Sequence, residues 1–426
     1  MKRLKSILAV FLILLLAVGM TACGSGSTEA EDTTSEVAED VAKTVEPVEA
    51  VTTAANTTAD GAIDATDLFS DRDLTQTADL SEAKTLTVSD GEIVKITDAG
   101  VYVISGSATD AQILVEAAED AKVQLVLDGV SITNTSAPCI YVKSADKVFV
   151  TTTDSENSLS VTGTFTADGT TNTDAVIFSK SDLTLNGLGT LTIESTDNGI
   201  TTKDDMKITG GTIDITCVSD ALEANDSISV AEGSITISSQ NNGLNASDDD
   251  DDTTGWVYLC GGSMDITASN NGVKAATIVQ IDGGVLTIQA NEGIEATCVQ
   301  INGGTIDITA ADDGINAGQK SSAYSPVIEI NGGDITVNMG QGDTDAIDSN
   351  GAIVVSGGTI SITAQSPFDY DTTGTYNGGT IIVNGETVNA ITNQMMGGPG
   401  MMGDGMQPGG MPQGGMPQGG PGGHRG

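Results

Sequence analysis

One phrase, Gly-Gly-Thr-Ile-Asp-Ile-Thr or a close variant, recurs between Leu183 and Gly385 and restricts the fold more than any other feature of the chain. Its copies begin at Gly189, Gly211, Gly233, Gly262, Gly284, Gly304, Gly333, Gly358 and Gly379, in steps of 22, 22, 29, 22, 20, 29, 25 and 21 residues. A base period near 21 with occasional insertions is the signature of a solenoid. Within a unit the period is two: Ile213 and Ile215, like Ile306 and Ile308, alternate with Asp or Thr, as a half-buried strand does. A second strand precedes the glycine pair, as in Val279-Gln-Ile281 and Ile328-Glu-Ile330, and a short third follows an Asp/Asn-Gly step, as in Gly272-Val-Lys274. Three short strands in about 21 residues leave no room for a helix, and a propeller blade needs about 40. The expected fold is all-β, a single-stranded parallel β-helix of about ten coils with about 21 residues per coil. Residues 86–161 alternate less regularly, which predicts first coils plus an N-terminal cap.

Coils of such a solenoid stack at about 4.8 Å, so equivalent residues form ladders. The repeat carries a polar phrase at one corner: Asp197-Asn198, Asp220 with Glu223, Asn241-Asn242 with Asn245, Asn270-Asn271 with Lys274, Glu292 with Glu295, Asp312-Asp313 with Asn316, and Asp345 with Asp348. Carboxylates stacked that closely raise one another's pKa. A hard divalent cation resolves the conflict, and Ca²⁺ takes six to eight oxygens from carboxylates, amides and carbonyls. Asp220, Glu223, Glu292, Glu295, Asp312, Asp313, Asn316, Asp345 and Asp348 are therefore the expected calcium ligands. The all-Asn rungs, Asn241, Asn242, Asn270 and Asn271, read as residues that hydrogen-bond the turn. The run Asp248–Asp252 falls in a 29-residue step and reads as a solvated loop.

The ends have other compositions. Lys2, Arg3 and Lys5 precede an apolar run of twelve residues, Ile7 to Val18, too short to span a bilayer and suited to a signal h-region. Met20-Thr21-Ala22-Cys23 follows and reads as a lipobox, with lipid attached to Cys23 after removal of residues 1–22. Residues 23–62 are Thr, Glu, Ala and Asp, a composition for a disordered acidic tether. Residues 63–393 hold the β-helix. Residues 394–426 form a Met/Gly/Pro/Gln tail with the sole histidine, His424, read as flexible low complexity. The expected location is the outer face of a bacterial membrane, reached through the lipid anchor only. Cys139, Cys217, Cys260 and Cys298 show no CxxC spacing and read as small buried side chains.

Charge bears on partners. With 59 acidic and 16 basic residues the formal charge is -43, which excludes a nucleic-acid binder working through phosphate neutralisation. Aromatic residues are 3% of the chain, which argues against a site of stacked rings. Trp256, Tyr258 and Tyr324, assigned to the inserted loops, are the aromatic candidates for contact with a ligand. Lys274 is the one candidate base inside the ladder, while Lys203 reads as a surface partner for its acidic neighbours.

The stretches Asp67–Leu74, Val123–Asn134, Ile140–Lys147, Ile177–Leu183 and Lys203–Gly211, together with the repeat through Gly385, resemble bacterial carbohydrate-binding-domain-containing surface proteins. That resemblance implies a right-handed parallel β-helix that binds calcium and associates with cellulose and acidic plant polysaccharides. The chain is also distantly similar to family 9 polysaccharide lyases, in which an Asp-Asp-x-x-Asp run holds Ca²⁺ and a Lys abstracts the proton α to a uronate carboxyl. Asp312-Asp313-x-x-Asn316 and Asp345-x-x-Asp348 match that run in part, with Asn316 and Thr344 standing where it has Asp. The leading expectation is a calcium-loaded, non-catalytic surface protein that binds polysaccharide. A pectate-lyase-like enzyme with Lys274 as base, and a structural adhesin or spacer, are the alternatives.

Overall fold

The computed structural model describes residues 62–393, apart from 249, 342 and 343. The chain divides into two units, Met1–Thr53 and Ala54–Gly426, and the first lies wholly outside the described residues. Cys23, the signal segment, the tether to residue 61 and the Met-rich tail also lie outside them.

Between Ile63 and Asn393 the protein is all-β, with one short helix, Asp71–Leu74. The strands form two sheets, of 22 and 12 strands, and the pairings are parallel except where Glu386–Val388 turns back on Thr380–Val383. A representative coil runs Asn271–Ala275, then Ile278–Ile281, then Val285–Ala290, and the chain steps to the next coil at Glu292–Ala296. Each segment pairs with its equivalent one coil on, so three columns of strands result. The first column carries the glycine-pair phrase, the second the strand before it, and the third, the 12-stranded sheet, the short strand after the polar corner. The sequence expectation of three short strands per unit holds, and the third column, with 12 strands, slightly exceeds the expected ten or so coils.

Alternation decides which side chains turn inward. Leu286, Ile306, Ile335 and Ile360 stack in one buried row of the first column, and Ile288, Ile308, Val337 and Ile362 in the next. In the third column Ile200, Leu222, Leu244, Val273, Ile294, Ile315 and Ile347 do the same. Glycine is required at two corners for two reasons. Gly304 has φ +90°, a conformation costly for any residue with a Cβ. A Cβ on Gly272 would meet the Gly293 carbonyl oxygen of the next coil at 2.7 Å, so only glycine allows the coils to approach at that corner.

The coils begin at Lys84, and the segment before them is more than an end cap. Ile63 donates its N–H to Gln280 Oε1 at 2.8 Å, Lys207 Nζ donates to the Leu68 carbonyl at 2.6 Å, and the Arg72 guanidinium sits 4.3 Å over the Phe149 ring. The segment therefore crosses the outward face of the second column, from the coil of Gln280 back to that of Phe149. It is pinned by the helix Asp71–Leu74, where Ser70 and Asp73 form a reciprocal capping box. Asp73 is also 2.7 Å from Lys147 Nζ, with both residues buried, and accepts from Thr184 Oγ1 at 2.7 Å. Burial works to raise the Asp73 pKa, but Lys147, Thr184 and Ser70 outweigh it and hold the carboxyl at about 2. Under this strap Gln124, Thr184, Ser229, Tyr258 and Gln280 point outward and are nevertheless buried.

Removing one partner of a buried pair leaves the other charge uncompensated. Asp73→Ala is expected to destabilise the protein by roughly 3–5 kcal/mol in urea unfolding. Adding Lys147→Met should recover a large part of that loss, and an equal loss in single and double variants would contradict the pairing.

Candidate metal and carbohydrate site

The polar phrase of each repeat lies at the corner leading into the third column, and the register turns it into two outward ladders. One runs Thr201, Glu223, Asn245, Lys274, Glu295, Asn316, Asp348, Asp369. The other, three residues earlier in each coil, includes Asn198, Asp220, Asn242, Asn271, Glu292, Asp313 and Asp345. The expected stacking is present. The nine residues expected to hold calcium nevertheless fall into three environments, and they do not make one site.

At Asp220 and Glu223 the carboxylates are met by amides and a hydroxyl. Asp220 Oδ1 accepts from Asn241 Nδ2 (2.7 Å), Asn242 N (3.0 Å) and Asn242 Nδ2 (2.9 Å), and Oδ2 accepts from Asn245 Nδ2 (2.8 Å). Glu223 Oε2 accepts from Asn198 Nδ2 at 2.7 Å and Thr201 Oγ1 at 2.9 Å. Burial raises the Glu223 pKa, against the pull of Lys203, whose Nζ lies 4.0 Å from Oε1. Lys203 thus reaches across to Glu223 and is not simply a partner for Asp204 and Asp205 beside it in the chain. The Asn rungs act as expected for turn residues, with Asn242 Oδ1 accepting from Asn271 N at 3.2 Å and Asn270 Nδ2 at 3.1 Å.

At Glu292 and Glu295 the cations are lysines. Glu295, 4% exposed, has Lys320 Nζ on Oε1 and Lys274 Nζ 4.0 Å from Oε2. Asn271 Nδ2 bridges Glu292 Oε2 (3.0 Å) and Glu295 Oε2 (3.1 Å). Burial and the Glu295 charge raise the Glu292 pKa, and Lys320 opposes them. Two of the chain's own ammonium groups therefore stand against Glu295, one of the residues expected to hold calcium.

Beyond Glu295 the compensation stops. Asp313 is pushed up to about 7 by burial, then by Asp348, Asp312 and Glu292. Asp348 is pushed up to about 6 by burial, then by Asp369, Asp345 and Asp371. Asn316 Nδ2 donates to Asp313 Oδ2 at 3.2 Å. Thr344 Oγ1 and Asp369 Oδ1, buried atoms of the same corner and column, have no hydrogen-bond partner among the described residues. The acidic residues of this corner raise one another's pKa with no ammonium opposing them, but among the described residues no three of them bring carboxylate oxygens within 4.8 Å of one another.

A fourth acidic group was not expected. Asp182, Asp204 and Asp205 bring carboxylate oxygens within 4.8 Å of one another, the one such group of three among the described residues, and can hold a metal ion. None of the nine expected ligands belongs to it. Asp182 is pushed up to about 6 by burial, then by Asp204 and Asp205, while Lys147 and Lys207 pull it down. The signal was present in the sequence: Asp182-Leu183 and Asp205-Met206 are the same strand position one coil apart.

The aromatic candidates are placed differently from expectation. Trp256 and Tyr258 lie on the strand Trp256–Leu259 and not in a loop. Tyr258 is 4% exposed and donates its hydroxyl to Asp282 Oδ2 at 2.8 Å, so its ring is not offered to a ligand. Trp256 is half-buried at the strand's start, and Tyr324 is half-buried in the inserted loop 318–326. That loop meets the other insertion, 247–255, where Ser322 N and Oγ donate to Asp252 Oδ2 at 3.1 and 2.5 Å. Among the described residues the four cysteines, Cys139, Cys217, Cys260 and Cys298, are free thiols, with Cys260 half-buried and the others buried.

Comparison with known proteins gives the family. A family model described as carbohydrate-binding domain-containing protein matches residues 90–345 and 291–396, most of the chain. The chain belongs to that family. A carbohydrate-binding domain-containing protein of Acetivibrio thermocellus is 43% identical over 136 residues, which are 30% of this chain and 46% of that protein. The match thus spans less than half of the relative. A solved structure described as a polysaccharide lyase-like protein from C. thermocellum, a gadolinium derivative, is similar with 30% identity and a TM-score of 0.48. That similarity covers 53% of this chain and 96% of the other.

The raised carboxyls fix a pH dependence in metal-free protein. A carboxyl with a raised folded pKa contributes stability that is full below the unfolded value of about 3.9 and is lost as pH rises through the folded value. For Asp313 and Asp348 that loss is completed through about 6 to 7. In chelator the melting temperature should therefore fall from pH 5 to pH 8, and Asp313→Asn with Asp348→Asn should flatten that fall. An unchanged slope in the double variant would contradict the assignment.

Proposed function

We propose that this protein is a calcium-loaded, non-catalytic surface protein that binds polysaccharide along the outward ladders of the third column. The carrying observation is the corner of Asp313 and Asp348, where raised carboxyl pKa values with no opposing ammonium sit beside the unpartnered buried oxygens of Thr344 and Asp369; Asp312, Asn316 and Asp345 complete the ligand set we propose there. Calcium held there neutralises the ladder and leaves coordination positions for a ligand's oxygens, including a uronate carboxylate, which the acidic chain alone would repel. Family membership supports carbohydrate as the partner. The coil spacing of about 4.8 Å is close to the advance of one sugar residue along an extended polysaccharide, so a chain laid along the axis meets equivalent side chains at regular intervals. Acidic plant polysaccharide such as polygalacturonate is the preferred ligand, with cellulose as a neutral one. The fold we infer is a single right-handed parallel β-helix, carried at the outer face of the membrane by lipid on Cys23.

A lyase with Lys274 as base is less well supported, because Lys274 faces the buried Glu295 carboxylate and has a charge-balancing role there. The adhesin or spacer reading gives no role to the uncompensated corner.

Full-length mature protein incubated with polygalacturonate decides among them. Retention that needs calcium, is lost in chelator at moderate salt, and is accompanied by no unsaturated product supports the proposal. Asp313→Asn with Asp348→Asn should lower the calcium-dependent retention about tenfold or more. Unsaturated product abolished by Lys274→Ala would establish the lyase, and no retention on any polysaccharide would leave the adhesin.

A further inference from the structure

From position 208 to 393 the sequence has 25 acidic residues and two basic ones, Lys274 and Lys320. Both lysines reach the same carboxylate, Glu295, although Asp313 and Asp348, with no ammonium beside them, lie one and two coils further on. One ammonium is enough to neutralise one carboxylate. Two are brought here by separate means: Lys274 takes a ladder position between Asn245 and Glu295, while Lys320 arrives from an inserted loop. That loop is held in place, since Lys320 N and Ser321 N both donate to Thr297 Oγ1, at 3.0 and 2.9 Å, and Ser322 is tied to Asp252. Glu295 is nearly closed to solvent, with a side chain 6% exposed, whereas the side chains of Lys274 and Lys320 remain 32% and 39% exposed. The buried carboxylate fixes two ammonium groups that still face outward. With Glu292, the fourth member, the group is neutral in a stretch otherwise strongly negative, and an anionic chain meets least repulsion there.

We infer that Lys274 and Lys320 form a second, metal-free subsite that contacts the carboxylate of an acidic sugar directly, with Glu295 as the residue that positions them. The inference rests on the polysaccharide-binding reading above and deepens it. An acidic chain lying along the third column would then be held in two ways: through calcium near Asp313 and Asp348, and through the ammonium groups gathered at Glu295, one coil before Asp313. The Lys274 pair at 4.0 Å is long for a hydrogen-bonded ion pair, so this ammonium has donors left for a ligand. Lysine contacts add selectivity for anionic over neutral sugars, because a neutral chain gains nothing from an ammonium beyond an ordinary hydrogen bond.

The test uses calorimetric titration of the mature protein with a galacturonate oligomer and, separately, a neutral cello-oligomer, each with calcium and with chelator at low salt. Wild type in chelator should keep a measurable, salt-sensitive affinity for the acidic oligomer. Lys274→Gln and Lys320→Gln should each weaken that affinity about tenfold, Lys320→Arg should restore most of it, and the neutral oligomer should be unaffected. Undiminished affinity for the acidic oligomer in both Gln variants, or equal losses for the acidic and neutral oligomers, would overturn the subsite. Calcium-dependent binding that vanishes completely in chelator would also overturn it while leaving the polysaccharide reading intact. Failure of wild type to bind either oligomer with calcium present would instead remove the reading on which both rest.

Discussion

Parallel stacking of one coil on the next, at about 4.8 Å, places each residue against its own repeat equivalent. Inside the coils that constraint is favourable, because Ile on Ile fills the interior and each buried aliphatic side chain contributes roughly 1.5–3 kcal/mol. Outside, the same constraint sets carboxylate beside carboxylate. The outward ladders of the third column show three answers to this problem in sequence. Asp220 and Glu223 are satisfied mainly by side-chain amides and Glu295 by lysines, whereas Asp313 and Asp348 have no ammonium beside them and are met by one side-chain amide and backbone hydrogen bonds alone. The corner proposed to bind calcium lies where compensation by ammonium ends, not where acids are most numerous.

The departures from the repeat supply what the repeat cannot. A solenoid built of one phrase offers the same side chain at each coil, and a site needs different ones. The strap before Lys84 brings Asp73 to Lys147 and closes the outward face of the second column. The loop 318–326 delivers Lys320, and the loop 247–255 braces it through Asp252. Both 29-residue steps in the period therefore belong to one local arrangement over Thr277 and Thr297, which are buried beneath it. The outward face of the third column is thus framed by irregular segments while its ladders stay regular.

Much of this was legible in the sequence, because a period near 21 with glycine corners and alternating aliphatics fixes strand positions and their partners one coil on. The columns, the inward rows and the stacking of the polar phrase all follow from spacing alone. What spacing could not give is which partner satisfies each acid. Asp220 and Glu292 hold the same ladder position, and only side-chain geometry shows that four amide donors close around the first. Lys320 was invisible because its position depends on the path of an insertion. Tyr258 was misplaced because its nearness in sequence to the Asp248–Asp252 run suggested a loop, although Trp256–Leu259 continues a strand row whose equivalents are Ile278–Ile281. The Asp182, Asp204 and Asp205 group was readable by the same rule of one coil on, applied to a corner with no repeated phrase to draw attention to it.

Crystals of the protein grown with calcium, measured at a wavelength where calcium scatters anomalously, test the central claim directly. The account predicts an anomalous peak ligated by Asp313 and Asp348 or their corner neighbours Asp312, Asn316 and Asp345, and none at Asp220 or Glu295, where amides and lysines already satisfy the carboxylates. A peak at Asp220 or Glu295, with none at Asp313 and Asp348, would contradict it.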